Sequence, residues 1–298
     1  MDKLENNVFN TALIFEGGGM RASYTSAVAN VLLENDIYFD NVYGLSAGSS
    51  NAVNYVSRDK ERTKRSFVDF VTDPEFGGLS TWLEGKGYFS AEYIYEKSGL
   101  PGGRLEFDFD TFRANPAKVT IETFDRDTGE SVFITKDQLN DPSMLMRYVR
   151  ASSTLPFFMP SPEIAGHHFY DGGLGVGAGL MLPRAERDGF TRFLIVRTRP
   201  RGYRKQAPDK ALDRLLRVHY HRYGKLVEAL EDRWKRYNLI ADEIDRLEQS
   251  GHAYVFYADK MGVESGETDL KKLEANYRAG YMQACDELPA IVRFLERG

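Results

Sequence analysis

Apolar residues along this chain fall into short β-like runs separated by stretches at helical spacing, an alternation that predicts an α/β fold. "TALIFE" (11–16) is a compact apolar run that ends in glycines, and "RASYTSAVANVLLEN" (21–35) carries apolar residues at helical intervals. A second unit follows, with "NVYGLS" (41–46) as strand and residues 47–57 as helix, and the spacing predicts a further helix over "DKERTKRSFVDFVTD" (59–73). "KVTIETFDRDTGESVFI" (118–134) alternates around Asp127 and Gly129, the pattern of a hairpin with a tight turn. "TRFLIVRTR" (191–199) and "HAYVFYA" (252–258) are further strands, while residues 210–249 and 270–297 read as charged helices. The expected architecture is a mostly parallel central sheet covered by helices on both faces, with a helix-rich C-terminal extension.

Composition narrows the function. At 298 residues and 42% hydrophobic, the chain has enough apolar material for one compact unit. A net charge of −5 gives no global basic field, which disfavours a nucleic-acid partner. The single cysteine, Cys285, has no partner for an internal disulfide and is expected to be a small buried hydrophobe. The opening "MDKLENNVFN" lacks the apolar core of a secretory signal, so cytoplasmic residence is the default expectation. No apolar run reaches the roughly eighteen residues of a spanning helix, so any membrane contact is expected to be peripheral.

Two glycine-containing turns carry candidate chemistry. "NVYGLSAGSS" (41–50) spells Gly-x-Ser-x-Gly with Gly44, Ser46 and Gly48 at a strand-to-helix turn, where a serine is either an exposed nucleophile or an ordinary turn residue. "FEGGGMRAS" sets Gly17, Gly18 and Gly19 between a strand and a helix, where free backbone N–H groups favour an anion. That anion is a pyrophosphate or a transient oxyanion. A dinucleotide fold needs an acid at the end of the second strand; Asp36 and Asp40 lie before it, and Ser46 holds the end position. Adjacent parallel strands would bring the glycine loop and the Ser46 turn side by side.

A serine nucleophile needs a base, and "HHFYDGGLG" offers Asp171 at a strand end before a tight turn. With "EGGGMR", "GLSAG" and "DGG" in that order, and "ASSTLPFFMP" (151–160) before the aspartate, the sequence resembles the patatin-like phospholipases over roughly residues 10–200. The resemblance implies a catalytic domain over 10–200 and a helical extension over 201–298 with one further strand, packed on the same unit. It also implies a Ser46–Asp171 dyad without histidine, and an oxyanion hole formed by Gly17, Gly18 and Gly19. The implied reaction is hydrolysis of fatty acyl esters of lipids or phospholipids through an acyl-serine, with no metal or organic cofactor. Arg21 matches the basic residue after the family's glycines; it either supports the loop, draws in an anionic head group, or sits exposed on the first helical turn. Ala22 stands where many members have glycine.

The remaining candidates have plainer alternatives. His167 and His168 alternate with Phe169 and Tyr170, so at most one faces the site. Phe157, Phe158 and Met159 either line an acyl pocket or pack in the core, and Trp82, Tyr88 and Phe89 suit a lipid surface or an exposed loop tip. An α/β-hydrolase triad using His219, His221 or His252 is one rival, opposed by the single βα unit before Ser46; a nucleotide binder is the other. Residues 201–236 hold eleven Lys or Arg against five Asp or Glu, with Leu212, Leu215, Leu216, Val218, Tyr220 and Tyr223 between them. That segment is either a peripheral contact for an anionic membrane or an ordinary amphipathic helix packed on the core. Substrate head group, chain length and oligomeric state are not legible.

Overall fold

The computed structural model describes residues 4–297, without the side chains at positions 79, 80, 210 and 212. The strands are β1 (Ala12–Phe15), β2 (Asn41–Leu45), β3 (Lys118–Asp125), β4 (Ser131–Thr135), β5 (Glu163–Ile164), β6 (His167–Asp171), β7 (Phe193–Val196) and β8 (Ala253–Phe256). They form one eight-stranded sheet in the order β5-β6-β3-β2-β1-β7-β8, with β4 also on β3. From β3 to β8 every pairing is parallel, whereas β4, β5 and β6 join antiparallel, so the sheet is mixed. The helices are α1 (Ala22–Glu34), α2 (Ala47–Val56), α3 (Lys60–Arg65), α4 (Leu79–Leu83), α5 (Phe109–Ala114), α6 (Pro142–Ser153), α7 (Leu182–Arg187), α8 (Lys210–His219), α9 (Gly224–Gln249) and α10 (Leu270–Glu296).

The two-residue period of the strands feeds two cores. Leu13 and Phe15 of β1 pack with α1, α2, α6 and α10, while Ala12 and Ile14 pack with α7 and α9. Because helices cover both faces, β1 and β7 are buried at every position and read as unbroken apolar runs. β8 pairs with β7, so the C-terminal third of the chain extends the same sheet.

The helix expected over 59–73 breaks instead after Arg65, and a 3₁₀ turn covers Asp69–Thr72. Phe67 packs against Ala22 and Ala47, whereas its neighbour Val68 joins a separate cluster with Met20 and Phe70. Consecutive residues that must be buried in two directions cannot share one face of a continuous helix. The stretch 210–249 is likewise two helices, divided where Tyr220 is buried and its hydroxyl accepts the Phe157 N–H at 2.6 Å.

One feature of register positions the site. β2 occupies one edge of β3 until Leu45 stands opposite Glu122; β6 then takes over that edge from the other direction, with Asp171 opposite Thr123, while β4 fills the far edge. β2 and β6 therefore run toward each other and end at neighbouring positions.

Candidate active site

Ser46 follows the last residue of β2 and precedes α2, in a backbone conformation of φ 55°, ψ −136°. For a residue with a Cβ this is strained, and it lifts the side chain clear of the sheet edge in the manner of a nucleophile elbow. The flanking glycines make the bend sterically possible: a Cβ on Gly44 would lie 2.2 Å from the Gly48 carbonyl oxygen, and one on Gly48 would lie 2.3 Å from that of Phe15. The Ser46 N–H donates to Ser152 Oγ at 2.9 Å, and that hydroxyl donates to the Glu122 carbonyl at 2.7 Å. Ser46 makes no side-chain cap on α2, so its hydroxyl is left for other work at the positive end of the helix.

Asp171 ends β6, and its N–H donates to the Thr154 carbonyl at 2.8 Å. The C-terminal end of α6 thus ties down both Ser46 and Asp171. Asp171 Oδ1 accepts the Gly173 N–H at 2.7 Å; Oδ2 is buried and has no fully formed hydrogen bond among the described residues. Burial raises the carboxyl's pKa, while Arg233, the Ser46 hydroxyl and the Gly173 N–H hold it down. No formed hydrogen bond joins the Ser46 hydroxyl to the carboxylate among the described residues, but both line one cavity, and catalytic hydrogen bonds are often long until substrate fills the site.

The glycine loop leaves β1 beside this pair, since Phe15 stands opposite Gly44. A Cβ on Gly17 would lie 3.0 Å from Ser46 Cβ, which places the loop against the serine. Gly19 adopts φ +57°, and a Cβ there would meet the Ser265 carbonyl oxygen at 2.4 Å. The expectation that all three glycines donate to an oxyanion needs one correction: the Gly17 N–H is already donated to the Gly179 carbonyl at 3.1 Å. The Gly18 and Gly19 N–H groups have no acceptor among the described residues. Asp36 and Asp40 sit at the opposite end of β2, away from the loop, so no acid stands where a dinucleotide ribose would need one.

Ser46, Asp171 and the loop share a cavity of about 290 Å³. Apolar side chains, among them Phe67, Phe76, Phe89, Leu105, Met146 and Met159, line it together with Arg21, Arg62, Arg199, Lys205 and Arg233. Below them, Glu16 accepts from Arg197 Nε at 3.2 Å, the Thr198 N–H at 2.6 Å and the Tyr237 hydroxyl at 2.5 Å, fastening α9 to the base of the glycine loop. A second groove, lined by Phe157, Phe158, Leu215, Leu216 and Leu230, meets the cavity at Asp171 and Arg233.

Among the described residues no histidine lines the cavity. His167 bonds Asp125 at 2.7 Å, His221 bonds the Val218 carbonyl at 3.0 Å, His252 bonds Ser250 at 3.0 Å, and His219 packs edge-on against Phe157. Arg21 is buried rather than exposed on the first turn. Of the apolar and aromatic candidates, Phe89 and Met159 line the cavity, whereas Phe157, Phe158, Trp82 and Tyr88 are exposed. Cys285 is exposed too: it falls on the outer side of α10, whose neighbour Ala284 faces the core.

The patatin-like phospholipase model matches residues 13–182, more than half of the chain, and spans the glycine loop, Ser46 and Asp171. The chain belongs to the patatin-like phospholipase family. Membership places it among lipid acyl hydrolases. A domain of unknown function, DUF6363, matches residues 223–296, which supply α9, β8 and α10. Among solved structures the chain is similar in fold to VipD from Legionella pneumophila, at 12% identity and a TM-score of 0.51, over 97% of this chain and 67% of that one. No curated protein matches the chain.

Sequence reading missed Arg199, Lys205, Arg233 and Tyr237 as cavity residues. For Lys205 and Arg233 the signal was present as the basic excess of 201–236, a segment whose pattern left open an anionic-membrane contact or an amphipathic helix packed on the core; Arg199 and Tyr237 lie outside it.

Proposed function

We propose that this patatin-like protein hydrolyses fatty acyl esters of lipids or phospholipids with Ser46 as nucleophile and Asp171 as general base. The observation that carries this is the convergence of β2 and β6 on one edge of β3, which brings a strained, half-buried serine and a buried carboxylate into one part-apolar cavity. Asp171 takes the Ser46 proton as Oγ attacks the ester carbonyl, and the resulting oxyanion is met by the free N–H groups of Gly18 and Gly19, with the positive end of α2 at Ser46 adding to the field. Collapse expels the alcohol, which takes the proton back from Asp171. Water then attacks the acyl-serine, giving its proton to Asp171, and the fatty acid leaves as the Ser46 hydroxyl is restored. The apolar part of the cavity takes the acyl chain. No step calls for a histidine.

Residues 10–200 and 201–298 are proposed to act as one unit, since α9 contributes Arg233 and Tyr237 to the cavity wall. No helix among the described residues is long and apolar enough to cross a membrane. Peripheral docking through 201–236 is proposed to rest on apolar contact more than on charge. Arg201, Arg204, Arg217, Lys225 and Lys235 pair with carboxylates of the same chain, and Lys205 and Arg233 face inward. Leu215, Val218, Phe157 and Phe158 stay exposed, while Leu212 lies outside the described side chains. The test is a hydrolysis panel of short esters, lysolipids and diacyl lipids with wild type, Ser46→Ala and Asp171→Asn. Turnover is expected only in the wild type, and turnover by the Ser46 variant on any of them would remove the assignment.

A further inference from the structure

We propose that Arg199, Lys205 and Arg233, with Arg21 at the edge, form a receptor for a terminal phosphate on the acyl-ester substrate, selecting a doubly charged head group over a zwitterionic or neutral one. This rests on the acyl-hydrolase reading of the same cavity.

The four cations come from three parts of the chain: Arg21 at the head of α1, Arg199 and Lys205 from the segment after β7, and Arg233 from α9. They lie close enough to disfavour one another's charge, Arg199 acting on Arg21, and Arg233, Arg199 and Arg21 on Lys205, whose pKa burial and these neighbours push down to about 7. The carboxylates within reach do not balance them. Glu16 is matched by Arg197, Asp171 lies near Arg233, and Glu264 is 4.0 Å from Arg21 and exposed. Nε of Arg21 and Nε of Arg233 are both buried without a hydrogen-bond partner among the described residues. Arg21 is only 8% exposed. Buried guanidinium donors without acceptors are costly, and several cations in mutual repulsion cost more, so the arrangement is completed by an anion.

The chemistry of that anion follows from geometry. Arg233 Nη2 would lie 2.4 Å from a Cβ on Gly173, two residues past Asp171, so the cations begin at the dyad itself. An anionic group held there belongs to a molecule whose ester carbonyl is at Ser46, a few bonds away. A phosphate monoester presents three oxygens and about −1.5 to −2 charges to donors arriving from several directions, which suits guanidinium forks and an ammonium. A phosphocholine head group would instead bring a quaternary ammonium among cationic side chains.

The experiment compares three substrates with one acyl chain: a lysolipid ending in phosphate, its phosphocholine counterpart and the neutral monoacylglycerol. Wild type is expected to show at least tenfold higher kcat/KM for the phosphate lipid than for the phosphocholine lipid. In Arg199→Met and Lys205→Met the ratio of phosphate to neutral ester falls at least tenfold, and Lys205→Arg restores most of it. Inorganic phosphate inhibits the phosphate lipid competitively. Equal ratios in wild type and variants, with all three lipids hydrolysed, would overturn the head-group receptor and leave the hydrolase standing. Hydrolysis of none of them would instead remove the acyl-hydrolase reading and the receptor with it. Activation of neutral-ester hydrolysis by inorganic phosphate would make this an effector site and overturn the assignment to substrate.

Discussion

The Ser152 hydroxyl holds the Ser46 backbone in place, accepting its N–H at 2.9 Å and donating onward to the Glu122 carbonyl at 2.7 Å. Ser152 is fully buried, so Ser152→Ala leaves the Ser46 N–H without a partner where water cannot replace it. The expected cost is about 1–3 kcal/mol in stability. A fall in kcat larger than any rise in KM should accompany it, because the elbow loses its fixed geometry. Urea unfolding and steady-state kinetics on a soluble ester check both; a wild-type kcat would show that the elbow does not depend on this bond.

The Arg233 charge acts on Asp171 and holds its pKa below where burial alone would put it. Removing that charge in Arg233→Met lets the carboxyl pKa rise, so the base stays protonated to higher pH. The acidic limb of the kcat/KM profile on a neutral ester should therefore move upward, with Arg233→Lys close to wild type. An unmoved limb would mean that Asp171 is not the group that titrates in catalysis.

Glu122 is buried between β4 and the turn after β6, and its pKa is raised to about 7. A carboxyl with a folded pKa above its unfolded value of 4.5 keeps its proton longer in the folded state, so stability falls as pH rises from about 4.5 to 7. Asp171 contributes in the same direction. Glu122→Gln should flatten the slope, gaining about 3 kcal/mol on the wild type between pH 4 and pH 8. Thermal unfolding across that range measures it, and parallel curves for the two proteins would count against a neutral Glu122.

How much of this was legible in sequence depended on whether the signal was local. β1, β2, the Ser46 turn and the hairpin of β3 and β4 are encoded by neighbours: short apolar runs, alternation in the hairpin, small residues at bends, and Gly129 at φ +77°. "ASSTLPFFMP" stood out as a block, and Ser152 and Thr154 supply its physical content by holding Ser46 and Asp171. What failed was direction. The basic excess of 201–236 was visible, but only folding decides that Lys205 and Arg233 turn inward while Arg201 and Arg204 meet α9 carboxylates. That the Gly17 N–H is occupied by Gly179 depends on a contact between segments far apart in sequence, and no pattern in "EGGGMR" announces it. The break after Arg65 likewise reflects Phe67 and Val68 finding different clusters.

Exposed Phe157, Phe158 and Leu215 line the groove that meets Asp171, and together with exposed Val218 they are the proposed contact with lipid. Phe158→Ser combined with Val218→Ser should weaken vesicle binding and slow hydrolysis of vesicle lipid several-fold relative to a soluble ester. Because most of the basic residues of 201–236 are paired or inward, raising salt should change wild-type binding less than these substitutions do. Cosedimentation at low and high salt, on neutral and anionic vesicles, distinguishes the two contributions; binding abolished by salt and untouched by the substitutions would return the docking role to charge.

The dyad itself is tested most directly by the rate and position of covalent labelling with a fluorophosphonate, read by intact mass and peptide mapping. Wild type should take up a single label on Ser46. Asp171→Asn, folded by thermal unfolding, should label at least a hundredfold more slowly, and replacing each of the five histidines in turn should leave the rate within about threefold. A label elsewhere, or an Asp171→Asn protein that reacts at the wild-type rate, or a folded histidine variant as slow as Asp171→Asn, would contradict a Ser46–Asp171 dyad.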